Sequence, residues 1–305
     1  MKPPNFFIVG APKCGTTALS EYLRTHPNVF FSPDKEPNYC CTDMDDRIRL
    51  AHSVDEYLKA CFMGANEQHL AVGEGSVSYL SSPTALKNIK EFAPHARIIV
   101  MLRRPVEMAY ALHSEFLGSL LDDVPEFERA WKLQGERKNG KYIPRTCSMP
   151  KVLQYRDMCL LGEQLEYLYS IFSREQVLPI LFDDFKSNTP AIYRKVIEFL
   201  ELPHDGRKDF PAMNENRSLR TSWVFTLTSF LTRWMDKPYQ QLKRAMGIKR
   251  TGLQSFIGHL NLRKAKRKPL SREMQEVLLD SFRDDIHKLE SILTRDLSHW
   301  RKIEQ

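Results

Sequence analysis

The 305-residue sequence contains no run approaching the roughly 18 to 20 consecutive apolar residues needed to cross a bilayer. Its nearest candidate, Trp223 to Met235, is too short and carries Arg233, so no membrane span is expected. The opening Met1-Lys2-Pro3-Pro4-Asn5 leads into a strand-like run without the long apolar core and small-residue cleavage site of a secretory leader. The expectation is a cytoplasmic protein without an anchor. The six cysteines (Cys14, Cys40, Cys41, Cys61, Cys147 and Cys159) form no C-x-x-C pair. The chain is too long for a disulfide scaffold, so reduced thiols are the default. No H-E-x-x-H, acidic calcium loop or Cys/His finger occurs, which leaves a metal site without support. Internal repeats and low-complexity segments are missing as well.

What is present is an ordinary globular composition, 42% hydrophobic and 27% charged, enough to bury a full core. The net charge of +7 is unevenly placed. Between Lys237 and Arg272 there are eleven Lys or Arg and no acid, which leaves −4 (7 less 11) for the rest of the chain. Basicity confined to one region argues against nucleic-acid binding as a property of the whole domain. The segment reads as a solvated basic surface, or as a rim for an anionic substrate, an acidic carrier protein or an anionic membrane surface.

Apolar runs at Asn5–Val9, Arg97–Leu102 and Gln176–Phe182 read as buried strands, with shorter ones at Val29–Phe31 and Leu70–Val72. Helical patterns alternate with them. Thr16 to His26 places Leu19, Tyr22 and Leu23 on one face, and Pro105 suits the first turn of a helix running to Gly118. Met158–Phe172 and Pro190–Leu200 follow, and Ser271 caps a long last helix with an apolar stripe of Met274, Val277, Leu278, Phe282, Ile286, Leu289 and Leu293. The fold class is therefore α/β: a three-layer arrangement with a central, mostly parallel sheet flanked by helices, which the loop and the resemblance given below make P-loop-like. No linker divides residues 1–305, so a single domain is expected. The polar stretch Leu121 to Pro150 reads as a short helix plus a loop, and segments 119–150 and 237–269 are lid or insert candidates.

The segment Phe6-Phe7-Ile8-Val9-Gly10-Ala11-Pro12-Lys13-Cys14-Gly15-Thr16-Thr17-Ala18 is the most informative. A strand-like run ends in a loop with Gly at both ends and Lys inside, and two Thr open a helix. Backbone N–H groups at a helix start, together with a Lys charge, make a phosphate cradle. The triphosphate loop G-x-x-x-x-G-K-[ST] is not matched, because Thr16 stands at its Lys position. In an open parallel sheet, ligands bind beyond the strand C-termini. The Lys13 loop, Glu36 and Arg103-Arg104 all fall there by position.

This loop resembles the 5′-phosphosulfate loop of sulfotransferases that use 3′-phosphoadenosine 5′-phosphosulfate (PAPS), and the resemblance runs from about Asn5 to Trp300. It implies that Lys13 acts on the leaving-group side, and that Lys13, Cys14, Gly15, Thr16, Thr17 and Ala18 hold the 5′-phosphate. Lys35-Glu36-Pro37-Asn38-Tyr39 is similar to the family segment K-E-x-x-[YF][YF], whose Glu is a general base in the glycan-modifying branch. Glu36 is thus the implied base, with His113 as the alternative. Arg103 matches the family's 3′-phosphate Arg. The usual Ser eight residues on is Ala111 here, and Ser114, one helical turn further along, is the candidate substitute. Gly73-Glu74-Gly75-Ser76-Val77-Ser78-Tyr79-Leu80 resembles G-E-K-[ST]-P-x-Y-[LF], with Gly75 at the family's Lys position. Tyr79 joins the candidate cofactor residues. Arg217 and Arg220, in a segment similar to the late cofactor loop, are candidates to close over the 3′-phosphate.

The resemblance implies sulfuryl transfer from PAPS, with 3′-phosphoadenosine 5′-phosphate (PAP) as product and no metal. The acceptor is a hydroxyl, less favourably an amine, of a small molecule, carbohydrate, lipid or carrier-bound group. The alternative is a P-loop-like kinase, which needs Mg²⁺ held by a Thr and a strand-end Asp. The strand at Ile98–Leu102 ends instead in Arg103-Arg104. A non-enzymatic nucleotide-binding scaffold is a third reading.

Overall fold

Apolar runs without alternation, joined by amphipathic helices, produce strands covered on both faces. The computed structural model describes residues 2–211, 217–219, 262–264 and 268–303. It forms two compact units, each drawn from several segments. The first unit takes Met1–Met108, Leu160–Asn214 and Phe282–Lys302. Its centre is a five-stranded sheet in the order β2-β3-β1-β4-β5, formed by β1 (Phe6–Gly10), β2 (Val29–Phe31), β3 (Ala71–Glu74), β4 (Arg97–Leu102) and β5 (Val177–Leu181). Every pairing in it is parallel. Phe6, Phe7, Ile8 and Val9 are fully buried, as are Ile98 to Leu102. The β1–β4 register runs Phe6 to Arg97, Phe7 to Ile98 and Ile8 to Ile99, then shifts at Gly10 opposite Val100. That irregularity ends the strand where the phosphate-type loop begins.

Topology sets the crevice. The chain leaves β1 toward the β2 edge, whereas its neighbour β4 leads on to β5 at the other edge. Adjacent strands whose connections diverge open a cleft at their C-terminal ends. Helix α1 (Thr16–Arg24) follows β1, and α2 (Val54–Phe62), α3 (Pro83–Phe92) and α4 (Pro105–Gly118) come next. The sequence reading does not single out α2 and α3, although both carry cap signals. The Ser53 hydroxyl accepts from the Glu56 N–H at 3.2 Å, and the Ser82 hydroxyl from the Ala85 N–H at 3.0 Å, with Pro83 in the first turn. Tyr57, Cys61 and Phe62 of α2 pack with Val72 in a small core of their own.

The second unit takes Ala109–Cys159, Glu215–Ser281 and Ile303–Gln305. Where one short helix is expected, two occur, α5 (Phe127–Lys132) and α6 (Gln134–Lys138), followed by α7 (Tyr155–Met158). Backbone pairing joins β6 (Arg217–Leu219) to β7 (Leu262–Lys264) in antiparallel fashion. The rest of the 237–269 segment, apart from residues 268 and 269, lies outside the described residues. Later helices are α8 (Leu161–Ile171), α9 (Phe182–Ser187), α10 (Thr189–Phe199) and α11 (Arg272–Leu293). The Ser271 hydroxyl accepts from the Met274 N–H at 3.2 Å, the expected cap of α11. Its stripe is buried at Met274, Leu278, Phe282, Ile286 and Leu289, but Val277 is 47% exposed. No helix among the described residues is long and apolar enough to cross a membrane.

Candidate active site

The loop that leaves β1 is shaped by its glycines. Gly15 has φ 89°, and a Cβ there would lie 2.9 Å from the Phe182 ring, so glycine alone suits the position. Lys13 also has a positive φ, 62°, which is uncommon outside glycine and is concentrated at functional sites. Gly15 heads α1 without a side-chain cap, and no acid occupies the first turn. The positive end of the helix is therefore left unneutralised by its own residues, and it suits an anion. Thr16 and Ala18 are buried and Thr17 is half-buried. The Cys14 thiol sits against the Pro12 carbonyl and the Met108 sulfur, at 3.4 and 3.9 Å. Burial pushes it up to about 12, so Cys14 offers the site its backbone and not a thiolate.

β4 delivers the second cation. The Arg103 guanidinium donates to the Lys13 carbonyl at 3.1 Å, linking the end of β4 to the β1 loop. Its Nε and Nη2 hold Glu107 Oε2 at 2.9 and 2.5 Å, and the group lies 4.8 Å from the centre of the Phe182 ring. Phe182 thus backs both Gly15 and Arg103. Arg104 is directed elsewhere, its Nε donating to the Trp300 carbonyl at 2.9 Å. Glu107 is a site neighbour that the sequence reading misses, although its spacing of four from Arg103 is a legible signal.

The carboxylate comes from the loop after β2. Backbone bonds strap this loop onto β3 and the loop after it: Ser32 N–H to the Gly73 carbonyl at 2.9 Å, and Gly75 N–H to the Lys35 carbonyl at 3.0 Å. The Asn38 amide adds a bond to the Glu36 carbonyl at 3.0 Å. The Lys35 ammonium donates to Glu36 Oε1 at 2.7 Å, to Thr16 Oγ1 at 3.3 Å and to the Gly75 carbonyl at 3.3 Å. Glu36 is therefore tied, through Lys35, to the first residue of α1. The sequence reading gives Lys35 no role beyond its place in the segment with Glu36, because adjacency in sequence does not reveal Thr16.

A phosphate-type loop, an arginine at the adjacent strand end and a tethered carboxylate lie at the C-terminal ends of the strands, linked by the bonds of Arg103 to Lys13 and of Lys35 to Thr16 and Glu36. The sulfotransferase domain model matches residues 3–233. The chain belongs to the sulfotransferase domain family. Carbohydrate sulfotransferase 15 of Mus musculus is 30% identical, over 73% of this chain and 50% of that protein. Bifunctional heparan sulfate N-deacetylase/N-sulfotransferase 1 of Caenorhabditis elegans is 24% identical, over 66% of this chain and 22% of that protein. The chain thus spans half or less of these curated relatives. The crystal structure of a sulfotransferase from Alicyclobacillus acidocaldarius is similar over 99% of this chain and 100% of that one, with TM-score 0.72 and 26% identity.

Tyr79, expected at the cofactor, is instead fully buried, and its hydroxyl donates to Glu74 Oε1 at 2.6 Å. Tyr57 reaches the same oxygen at 3.2 Å, and the Ser76 N–H reaches Oε2 at 2.8 Å. Tyr79 and Glu74 thus form a buried polar knot at the end of β3. Burial raises the Glu74 carboxyl to about 7, although the bonds from Tyr79, Ser76 and Tyr57 pull it down. A carboxyl raised on folding contributes stability below its unfolded value near 4.5, and that contribution is lost as pH rises through about 7. Glu74→Gln is expected to flatten the fall in thermal stability across this window. An unchanged slope would assign the fall to other groups.

In the second unit, His113 is 2% exposed, and its Nε2 donates to the Val124 carbonyl at 2.8 Å. Its ring packs on Phe127 and Tyr155, with centroids 5.4 and 5.9 Å away. Burial holds it below the ordinary imidazole range. The alternative base is thus a packed core histidine, placed there because its α4 neighbours Leu112 and Phe116 are also buried. The Ser114 hydroxyl donates to the Tyr110 carbonyl at 3.1 Å, one turn back on the helix. Arg217 lies in β6, where the backbone alone is described, and Arg220 lies outside the described residues.

Proposed function

We propose that this domain transfers a sulfuryl group from PAPS to a hydroxyl of a carbohydrate acceptor. The observation that carries the reading is the bond from Arg103 to the Lys13 carbonyl, because it joins two anion-binding elements at the crevice between β1 and β4. The β1 loop, with Lys13 and the α1 N-terminus, suits the 5′-phosphosulfate, and Arg103 suits the 3′-phosphate through a bidentate guanidinium. Glu36 takes the proton of the acceptor hydroxyl. The acceptor oxygen forms its bond to sulfur as the bond from sulfur to the 5′-phosphate oxygen breaks. The electron pair stays on that oxygen, and Lys13 stabilises its charge. PAP, the sulfate ester and one proton result. The sugar acceptor is suggested by the names of the relatives and by a carboxylate base. Mg²⁺-dependent phosphoryl transfer is disfavoured, since of the two strands beside β1 one leads to Arg103 and the other ends in Glu74, whose buried carboxyl is taken up by Tyr79, Tyr57 and the Ser76 N–H.

The test is calorimetry of PAP against ADP with Mg²⁺. Tight binding of PAP is expected without added metal. Arg103→Ala should weaken PAP by about 10- to 100-fold, the worth of one or two charge-assisted hydrogen bonds, and should weaken adenosine 5′-phosphosulfate (no 3′-phosphate) by clearly less, through the lost bond to the Lys13 carbonyl alone. Preference for Mg-ADP, or indifference to the 3′-phosphate, would move the kinase reading to first place.

A further inference from the structure

Lys35 is set apart by where its ammonium is held. Its three donors reach three separate elements: Glu36 Oε1 in its own loop at 2.7 Å, Thr16 Oγ1 at the start of α1 at 3.3 Å, and the Gly75 carbonyl beyond β3 at 3.3 Å. The side chain is 17% exposed, whereas that of Glu36 is 40% exposed. A solvated ion pair of neighbouring residues fixes little. Here the ammonium is largely withdrawn from water, and its place is set by Thr16 and Gly75 as well as by Glu36. The backbone of Lys35 is fixed too, through its carbonyl bond from the Gly75 N–H at 3.0 Å. Position 75 has little room for a side chain of its own. A Cβ there would lie 3.1 Å from Ser20 Oγ and 3.2 Å from the Phe31 ring.

We propose that Lys35 is a positioning residue, which holds the Glu36 carboxylate in a constant geometry against the Thr16 end of the phosphate loop. The loop after β2 carries the carboxylate on a partly exposed side chain, so its aim needs a second point of attachment. The Lys35 ammonium supplies that attachment and keeps the carboxylate beside the 5′-phosphosulfate seat. The proposal rests on the reading of Glu36 as the base.

The test is a double-mutant cycle of Lys35→Met and Glu36→Gln. It is read as transfer from radiolabelled PAPS to desulfated heparan sulfate, and as PAPS hydrolysis to PAP and sulfate without acceptor. Lys35→Met should lower kcat about 100-fold, the cost of a reacting group misplaced by about 1 Å. KM and PAP affinity should move by less than about threefold. Lys35→Arg should recover most of the loss, and circular dichroism separates misfolding from misplacement. In the Glu36→Gln background, Lys35→Met should change kcat by less than about threefold, since the residue it aims is gone. A full 100-fold loss in that background, or a loss of PAP affinity equal to the loss of kcat, would overturn the positioning role. So would an active Lys35→Met beside an inactive Glu36→Gln, with the base intact. Failure of the underlying reading is seen separately, as an undiminished kcat of Glu36→Gln alone.

Discussion

Replacing Glu36 by Gln is expected to lower kcat by about 10²- to 10⁴-fold, the usual contribution of a positioned proton acceptor, while PAP binds within about threefold of wild type. The physical reason is specific to the atom exchanged. Gln keeps the shape of the side chain and can still accept from Lys35, so the loop after β2 keeps its place. It cannot take the proton of an incoming hydroxyl. The loss is therefore expected in single-turnover transfer and not in cofactor affinity, because the proposed nucleotide contacts are the β1 loop and Arg103, which follow other strands. A drop of equal size in PAP affinity would show Glu36 to be a binding residue. Wild-type kcat would remove it from the reaction.

The largest expected effect on stability lies in the second unit. Arg137→Met should cost about 3–5 kcal/mol, because it leaves a buried carboxylate without its counter-charge. The side chains of Arg137 and Asp122 are both 0% exposed. The guanidinium meets the carboxylate with two bonds of 2.8 and 2.6 Å, and Tyr155 donates a third at 2.6 Å. The N–H groups of Asp123 and Val124 add bonds at 2.7 and 3.0 Å. Burial alone would push the Asp122 carboxyl up, but the Arg137 and Tyr155 bonds overcome it and hold the group below its ordinary range. Its contribution is therefore present above the unfolded value and lost as pH falls through the lower folded one. Urea unfolding should show a lower midpoint for Arg137→Met with little change in slope. Arg137→Met with Asp122→Leu should recover much of the loss, since removing both charges leaves none stranded. A double variant no better than the single one would place the cost in lost packing.

Much of the element pattern is legible locally. β2 and β4 have the bounds that their apolar runs suggest, and α4 runs from Pro105 to Gly118 as its proline and apolar face imply. Strands buried on both faces must be continuously apolar, so they stand out without neighbours in view. α2 and α3 are harder, because nine- and ten-residue helices offer few turns of periodicity and rest on packing more than on pattern. The phosphate-type loop is legible because its glycines answer to backbone geometry, as the φ of Gly15 shows.

Side-chain destinations are another matter. Tyr79 and Arg104 sit in family-like segments, yet one turns inward to Glu74 and the other donates to the Trp300 carbonyl. His113 lies on an apolar helix face and is packed there. By itself the sequence determined the order of the candidate groups along the chain: a phosphate-type loop after the first strand, a carboxylate after the second and an arginine after the fourth. It could do so because backbone requirements and burial on both faces are local and periodic. The tertiary structure alone decided that Arg103 reaches the Lys13 carbonyl and that Lys35 joins Glu36 to Thr16. These contacts span gaps of 90 and 19 residues, and no local rule says which strand ends the sheet brings side by side.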